Sequence, residues 1–162
     1  MSKFVSKKIR KKSGARLAAV QAVYMAIFGE LPVDEVIKDF VEGKVGRYVI
    51  EEDGINNIEE MVEIGPIDTT YFESLVKGVF SKKEKLEKSL ALYLNEKWDF
   101  DKMNGTMQSL LLCAVYELTN TLDIDTKVLI QEYVDLAYAF FSKNEPKMVN
   151  ALLDQIAHSV RA

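Results

Sequence analysis

The residues able to do bond chemistry in this sequence are few, and they form no constellation. The 162-residue chain holds one histidine, His158, and one cysteine, Cys113. With one imidazole and one thiol, zinc sites of the usual kinds cannot be assembled within the chain. His158 lies near the end of the last helical pattern, where a lone histidine reads as a surface or capping residue rather than a catalyst. Cys113 lies inside Leu110–Leu111–Leu112–Cys113–Ala114, a setting that makes an inert core thiol. Neither a GxxxxGK[ST] nor a GxGxxG phosphate loop occurs. Glu117 and Glu132 stand on apolar-rich helical patterns, like carboxylates that ligate metals inside bundles, but the Glu-x-x-His partner motif is missing. Both are expected to be structural ions or hydrogen-bond acceptors. No catalytic residue, metal or cofactor is expected, and the chain reads as a non-enzyme.

Charge carries more information. Lys3, Lys7, Lys8, Arg10, Lys11, Lys12 and Arg16 fall in the first sixteen residues without one acid, a local charge of +7. The rest of the chain holds 14 basic against 25 acidic side chains, or −11, so the net −4 conceals a basic segment on an acidic remainder. Such a segment attracts polyanions, with nucleic acid the commonest, or else serves only as a solubilising terminus.

The elements that must position these residues are helical. The last third reads as three amphipathic helices with stripes recurring at steps of three and four. They are Met107, Leu110, Leu111, Ala114, Leu118; then Leu129, Tyr133, Leu136, Phe140; then Val149, Leu152, Leu153, Ile156, Val160. Asp125 and Asn144 are the expected N-caps of the second and third, with Pro146 in the first turn of the third. Upstream, residues 1–12 are expected to be a flexible basic arm, and Ser13 to cap a first helix that carries Leu17, Val20, Tyr24, Ile27 and Phe28 inward as far as Gly29. Arg16 then falls in the first turn, an unfavourable place for a cation and so a hint of binding. A short helix over Val33–Val41, a helix capped by Asp68, and one with Leu86, Leu90, Tyr93 and Leu94 inward complete the set. Residues 43–66 read as a long loop, with a helical turn or more around Ile55–Ile64 and Arg47–Ile50 open to an extended form. Trp98 reads as a packing anchor. The fold class is all-α, with residues 13–162 as one domain. No apolar run approaches the ~18–20 residues of a membrane-spanning helix. The basic start lacks the apolar stretch of a secretory signal, and one cysteine suits a reducing cytoplasm.

Taken in order, these residues resemble the NusB family of bacterial transcription antitermination factors. The likeness begins at Ala15–Arg16–Leu17–Ala18–Ala19–Val20–Gln21–Ala22–Val23–Tyr24 and resumes at Tyr71–Phe72 through Gly78–Val79. It is densest in Ala114–Val115–Tyr116–Glu117–Leu118 and Lys127–Val128–Leu129–Ile130–Gln131–Glu132, and closes with Lys147–Met148–Val149–Asn150–Ala151–Leu152–Leu153–Asp154. The resemblance implies about seven helices in two packed bundles. It also implies an RNA-binding adaptor that pairs with ribosomal protein NusE on boxA-type RNA and joins the RNA polymerase antitermination complex, mainly on ribosomal RNA operons. Family members occur as monomers and as dimers, so a homodimer stays open.

Carried over residue by residue, the family pattern points to Arg16, Lys147 and Asn150 for RNA, and the basic charge that this chain places at Lys7, Lys8, Arg10, Lys11 and Lys12 is expected to meet RNA phosphates as well. The pattern points to Tyr24, Tyr93 and Asn144 for RNA stacking or partner contact. Phe140 also matches an aromatic position, but core is its expected place. Asn150 reads equally as a buried cap. The chain departs from the pattern where the arginine cluster before the first helix becomes Lys12–Ser13–Gly14, and where a frequent aromatic becomes Met148. Asn144 replaces an acid, Asp125 a proline, and Leu110–Leu112 a common arginine. Lysine offers a point charge rather than a bidentate fork, so phosphate attraction survives better than base recognition. The competing reading is a diverged NusB-fold protein–protein module without specific RNA binding.

Overall fold

Helix formation begins earlier than the expected Ser13 cap. In the computed structural model α1 spans Lys7–Phe28, so Ser13 and Gly14 lie inside a helix whose first turn carries no acid. Lysine and arginine are good helix formers, and nothing between Lys7 and Lys12 breaks the pattern. The structure describes residues 7–43, 48–52, 59–63, 67–95, 97–142 and 144–161, with side chains left out at 7–10, 48–52 and 59–63. Among these residues the remaining elements are α2 (Val33–Val41), strands β1 (Tyr48–Glu52) and β2 (Glu59–Glu63), α3 (Thr69–Ser81), α4 (Lys83–Tyr93), α5 (Gly105–Asn120), α6 (Thr126–Phe140) and α7 (Asn144–Val160). Among the described residues the framework is all-α: seven α-helices, a single 3-10 turn over Phe100–Lys102 and one small hairpin. The hairpin corrects the sequence reading, because β2 occupies part of the stretch expected to turn helically. Its antiparallel register sets Val49 opposite Val62 and Ile50 opposite Met61, with Glu51–Glu60 and Glu52–Glu59 facing at one end. Clustered β-branched and aromatic residues at Tyr48, Val49 and Ile50 favour the extended form.

The chain divides into two units, residues 1–73 and 74–162, with α3 crossing the boundary. In the first unit α2 packs on α1. The buried face of α1 is made of small residues, Ala15, Ala18, Ala19, Val20, Ala22 and Val23, together with Arg16. Tyr24 and Phe28, expected inside, are 42% and 44% exposed and stack on each other at 5.2 Å. Alanines let a neighbouring backbone approach closely, which turns the buried stripe away from the larger side chains. Phe40 of α2 meets Phe72 at 5.4 Å. Asp68 caps α3 as expected, its Oδ1 accepting from the Tyr71 backbone N–H at 2.9 Å.

In the second unit α5 is buried on nearly every side, from Met107 through Leu118, and packs against α4, α6 and α7. Gly78 of α3 allows the close approach of Tyr116, since a Cβ there would lie 2.1 Å from the ring Cζ. The expected stripes hold on α5 and, except for exposed Val160, on α7. On α6 the buried set is Leu129, Ile130, Tyr133, Val134 and Ala137, and Phe140 is 38% exposed instead of core. Phe140 sits edge-on to Phe141 at the helix end, where the buried stripe has already run out. Asp125 caps α6, accepting from Lys127 N–H at 3.0 Å. Asn144 is the first residue of α7 and not a residue before it.

Arg161, which follows α7, locks this unit. The Arg161 guanidinium donates to the carbonyls of Leu118 (2.9 Å), Thr121 (2.8 Å) and Ile124 (2.6 Å), around the carboxyl end of α5. Carbonyls at a helix end lack partners within their own helix, and a cation there also complements the helix dipole. Arg161→Ala is expected to destabilise the protein by about 2 kcal/mol, the scale of charge-assisted hydrogen bonds. An unchanged urea midpoint would show that water replaces the guanidinium at no cost.

Candidate nucleic-acid interface

The candidate RNA residues of the first unit lie along the opening of α1. Lys7, Lys8 and Arg10 fall in its first turns, with their side chains outside the described residues. Lys11 is exposed, and its carbonyl accepts from the Asp68 backbone N–H at 3.1 Å. Lys12 is half-buried, with Nζ 5.3 Å from the centre of the Tyr71 ring. Arg16 is only 3% exposed. Its Nη2 donates to the Tyr71 hydroxyl at 3.0 Å and its guanidinium lies 5.2 Å from the same ring. Arg16 is therefore corrected from a phosphate contact to an internal residue: a guanidinium turned inward onto a tyrosine does not offer its fork to RNA. Tyr71 is the residue that sequence reasoning passes over. It stands in the matched pattern, but nothing local to it signals that two cations from another helix meet on its ring.

In the second unit Asn144, Lys147 and Asn150 are exposed and succeed one another at three-residue steps on α7. Exposure rules out the buried-cap reading of Asn150. Lys147 and Asn150 stand one and nearly two turns inside the helix, not at its opening. The opening itself holds Glu145, which accepts from Ser142 at 3.2 Å, and Pro146, which has no N–H. A phosphate on α7 would thus be met by side chains and not by a helix N-terminus. Tyr93 is half-buried at the end of α4. Trp98 is half-buried, with Lys97 Nζ 5.8 Å over its ring, and borders a depression of about 540 Å³ lined also by Glu84, Glu87, Phe100 and Asp101.

Of the groups that could do chemistry, Glu117 and Cys113 are built into the interior. Glu117 and Tyr133 are each 1% exposed, and the Tyr133 hydroxyl donates to Glu117 Oε2. The expected acceptor role of Glu117 is what the structure shows. Cys113 is fully buried, and burial pushes its thiol well above the ordinary range, since the thiolate would lie in an apolar interior. His158 is exposed, its Nδ1 3.0 Å from the Asp154 carbonyl. Among the described residues no three His, Cys, Asp or Glu side chains gather as a metal site, and no helix is long and apolar enough to cross a membrane.

Comparison with known proteins decides the family. The sequence matches the NusB family over residues 13–158. The chain belongs to the NusB family. The transcription antitermination protein NusB of Rhodospirillum rubrum is 38% identical over 157 residues, covering 93% of this chain and 85% of the relative. That of Rhizobium leguminosarum is 34% identical over 155 residues, covering 96% and 91%. In fold, T. maritima NusB matches with a TM-score of 0.69 at 19% identity, covering 90% of this chain and 89% of its own. A chain from a crystal structure of a plectonemic RNA supercoil matches with a TM-score of 0.68 at 21% identity, covering 91% and 94%. NusB membership makes this chain a transcription antitermination factor and not an enzyme.

Two outcomes test the interior of this NusB fold. Tyr133→Phe removes a donor from a buried carboxylate and is expected to cost about 1–3 kcal/mol in denaturant titrations; full stability would show that the hydroxyl contributes nothing there. Cys113 should resist iodoacetamide at neutral and mildly alkaline pH in the native protein and react once urea unfolds it. Its raised folded-state pKa keeps the thiol protonated where the unfolded thiol begins to ionise. Rapid native labelling would contradict the burial.

Proposed function

We propose that this NusB-family chain is an RNA-binding adaptor that pairs with ribosomal protein NusE on boxA-type RNA and joins the RNA polymerase antitermination complex, mainly in ribosomal RNA transcription. The observation that carries the reading is the lysine-rich opening of α1, continuous with a sequence that matches the family from residue 13 onward. Lys7, Lys8, Arg10, Lys11 and Lys12 of the first unit supply phosphate contacts, and so do Lys147 and Asn150 of the second. Tyr24, exposed beside Phe28, and Tyr93 and Asn144 serve as stacking or partner contacts. The fold neighbour from an RNA-containing crystal is in keeping with this reading. The place of action is the cytoplasm.

A specific observation keeps a second reading in view. The arginine matched to the family's basic start is buried, and the two cations beside it whose side chains are described, exposed Lys11 and half-buried Lys12, are lysines, which attract phosphate without reading bases. Fluorescence anisotropy with a boxA-like RNA and a scrambled control, with and without NusE and across a salt series, separates the two. Selective strengthening by NusE on the boxA-like RNA is expected. Replacing Lys7, Lys8, Arg10 and Lys11 by glutamine should then flatten the salt dependence by about 0.7 in log–log slope for each phosphate no longer neutralised. Equal binding of both RNAs, with no effect of NusE, would favour a protein–protein module without specific RNA recognition. Sedimentation of the same samples reads whether a homodimer competes with RNA.

A further inference from the structure

The basic half of α1 is seated on the start of α3 by several independent ties. The Lys11 carbonyl accepts from the Asp68 N–H at 3.1 Å. Gly14 lies so close to Ile67 that a Cβ there would stand 2.9 Å from the Ile67 Cγ2. Lys12 and Arg16, one helical turn apart and so on the same face, both bring their cations over the Tyr71 ring, at 5.3 and 5.2 Å. Tyr71 itself is held at both ends. Arg16, buried, donates to its hydroxyl at 3.0 Å. Its backbone N–H is bound by the Asp68 cap at 2.9 Å. Of the two cations, Lys12 is the one that reaches solvent.

We propose that Tyr71 is a positioning residue of the RNA interface: its ring, fixed by Arg16, holds the Lys12 ammonium in place for an RNA phosphate. The inference rests on the RNA-binding reading above. A free lysine loses rotamer freedom when it meets a phosphate, and one already held over an aromatic face loses less. The attraction is electrostatic and directed at the ring face, so it survives loss of the hydroxyl but not of the ring.

The test is a salt series of RNA anisotropy on the full chain with four variants, each checked for folding by circular dichroism. Lys12→Gln is expected to weaken binding three- to tenfold and make the slope shallower by about 0.7, one single-strand phosphate. Lys11→Gln, which removes an exposed cation not seated on the ring, should weaken it less. Tyr71→Leu should reproduce the Lys12→Gln loss, the double variant should lose no more, and Tyr71→Phe should keep most of the affinity and the slope. A ring that served packing alone would lower stability, leave the slope unchanged and give losses that add; that pattern overturns the proposal. Equal losses from Lys11→Gln and Lys12→Gln overturn it as well, whether or not Tyr71→Leu folds. Wild-type protein that binds no RNA at any salt would instead remove the RNA-binding reading, and this inference with it.

Discussion

A buried guanidinium has to find partners, and the arrangement of the N-terminal unit follows from where Arg16 finds them. Moving a cation out of water is costly unless hydrogen bonds and nearby electron density offset it. The Tyr71 hydroxyl and ring supply both, at 3.0 and 5.2 Å. For Tyr71 to be there, α3 must begin beside the second and third turns of α1. The Asp68 cap and the Lys11 carbonyl fix that start, and Gly14 leaves the space for Ile67. The small residues that line the buried face of α1 serve the same end, because larger ones would hold the neighbours away. A segment that charge alone would leave mobile is thereby made part of a helix seated on the fold.

The second unit solves a related problem at its centre. Helix α5 is enclosed on nearly all sides, so its polar groups have few routes to water. Glu117 meets the hydroxyl of Tyr133 on α6, and the last carbonyls of α5 meet the guanidinium of Arg161 beyond α7. Each tie joins different elements of the fold, and each would be expensive to leave half made, since a buried polar group without its partner keeps the full desolvation cost. Apolar stripes bring the helices together, and these two contacts specify how their ends meet.

This division explains what can be read from the chain in advance. The stripes of α5 and α7, the bounds of α2 and the caps at Asp68 and Asp125 are local signals, set by residues three or four positions apart, and they are legible. The start of α1 is misjudged because a serine followed by an apolar run resembles a cap, while lysines upstream carry no apolar period although they favour helix. Its inward face is misjudged because alanines weigh little beside Tyr24 and Phe28. The hairpin is ambiguous, as a short apolar run fits extended and helical forms alike. Among the candidate interface residues, charge marks Lys11 and Lys12 correctly as surface-reaching. The inward turn of Arg16 onto Tyr71 and the lock at Arg161 depend on partners 55 and 37 residues away, beyond any local pattern.

The same geometry bears on how a protein of net charge −4 would hold a polyanion. At physiological salt, fields between exposed charges fade over roughly 8 Å, so RNA near α1 would respond to the lysines around it more than to the acidic remainder. As salt falls, the acids elsewhere come within reach and repulsion grows along with attraction. An interface of this kind works best when its few cations are placed and not merely numerous. Lysine lacks the fixed fork by which arginine selects carboxylates, phosphates and guanine edges. Where a lysine stands at the surface and an arginine inside, the interior arginine can lend through Tyr71 part of the geometric order that Lys12 does not have on its own.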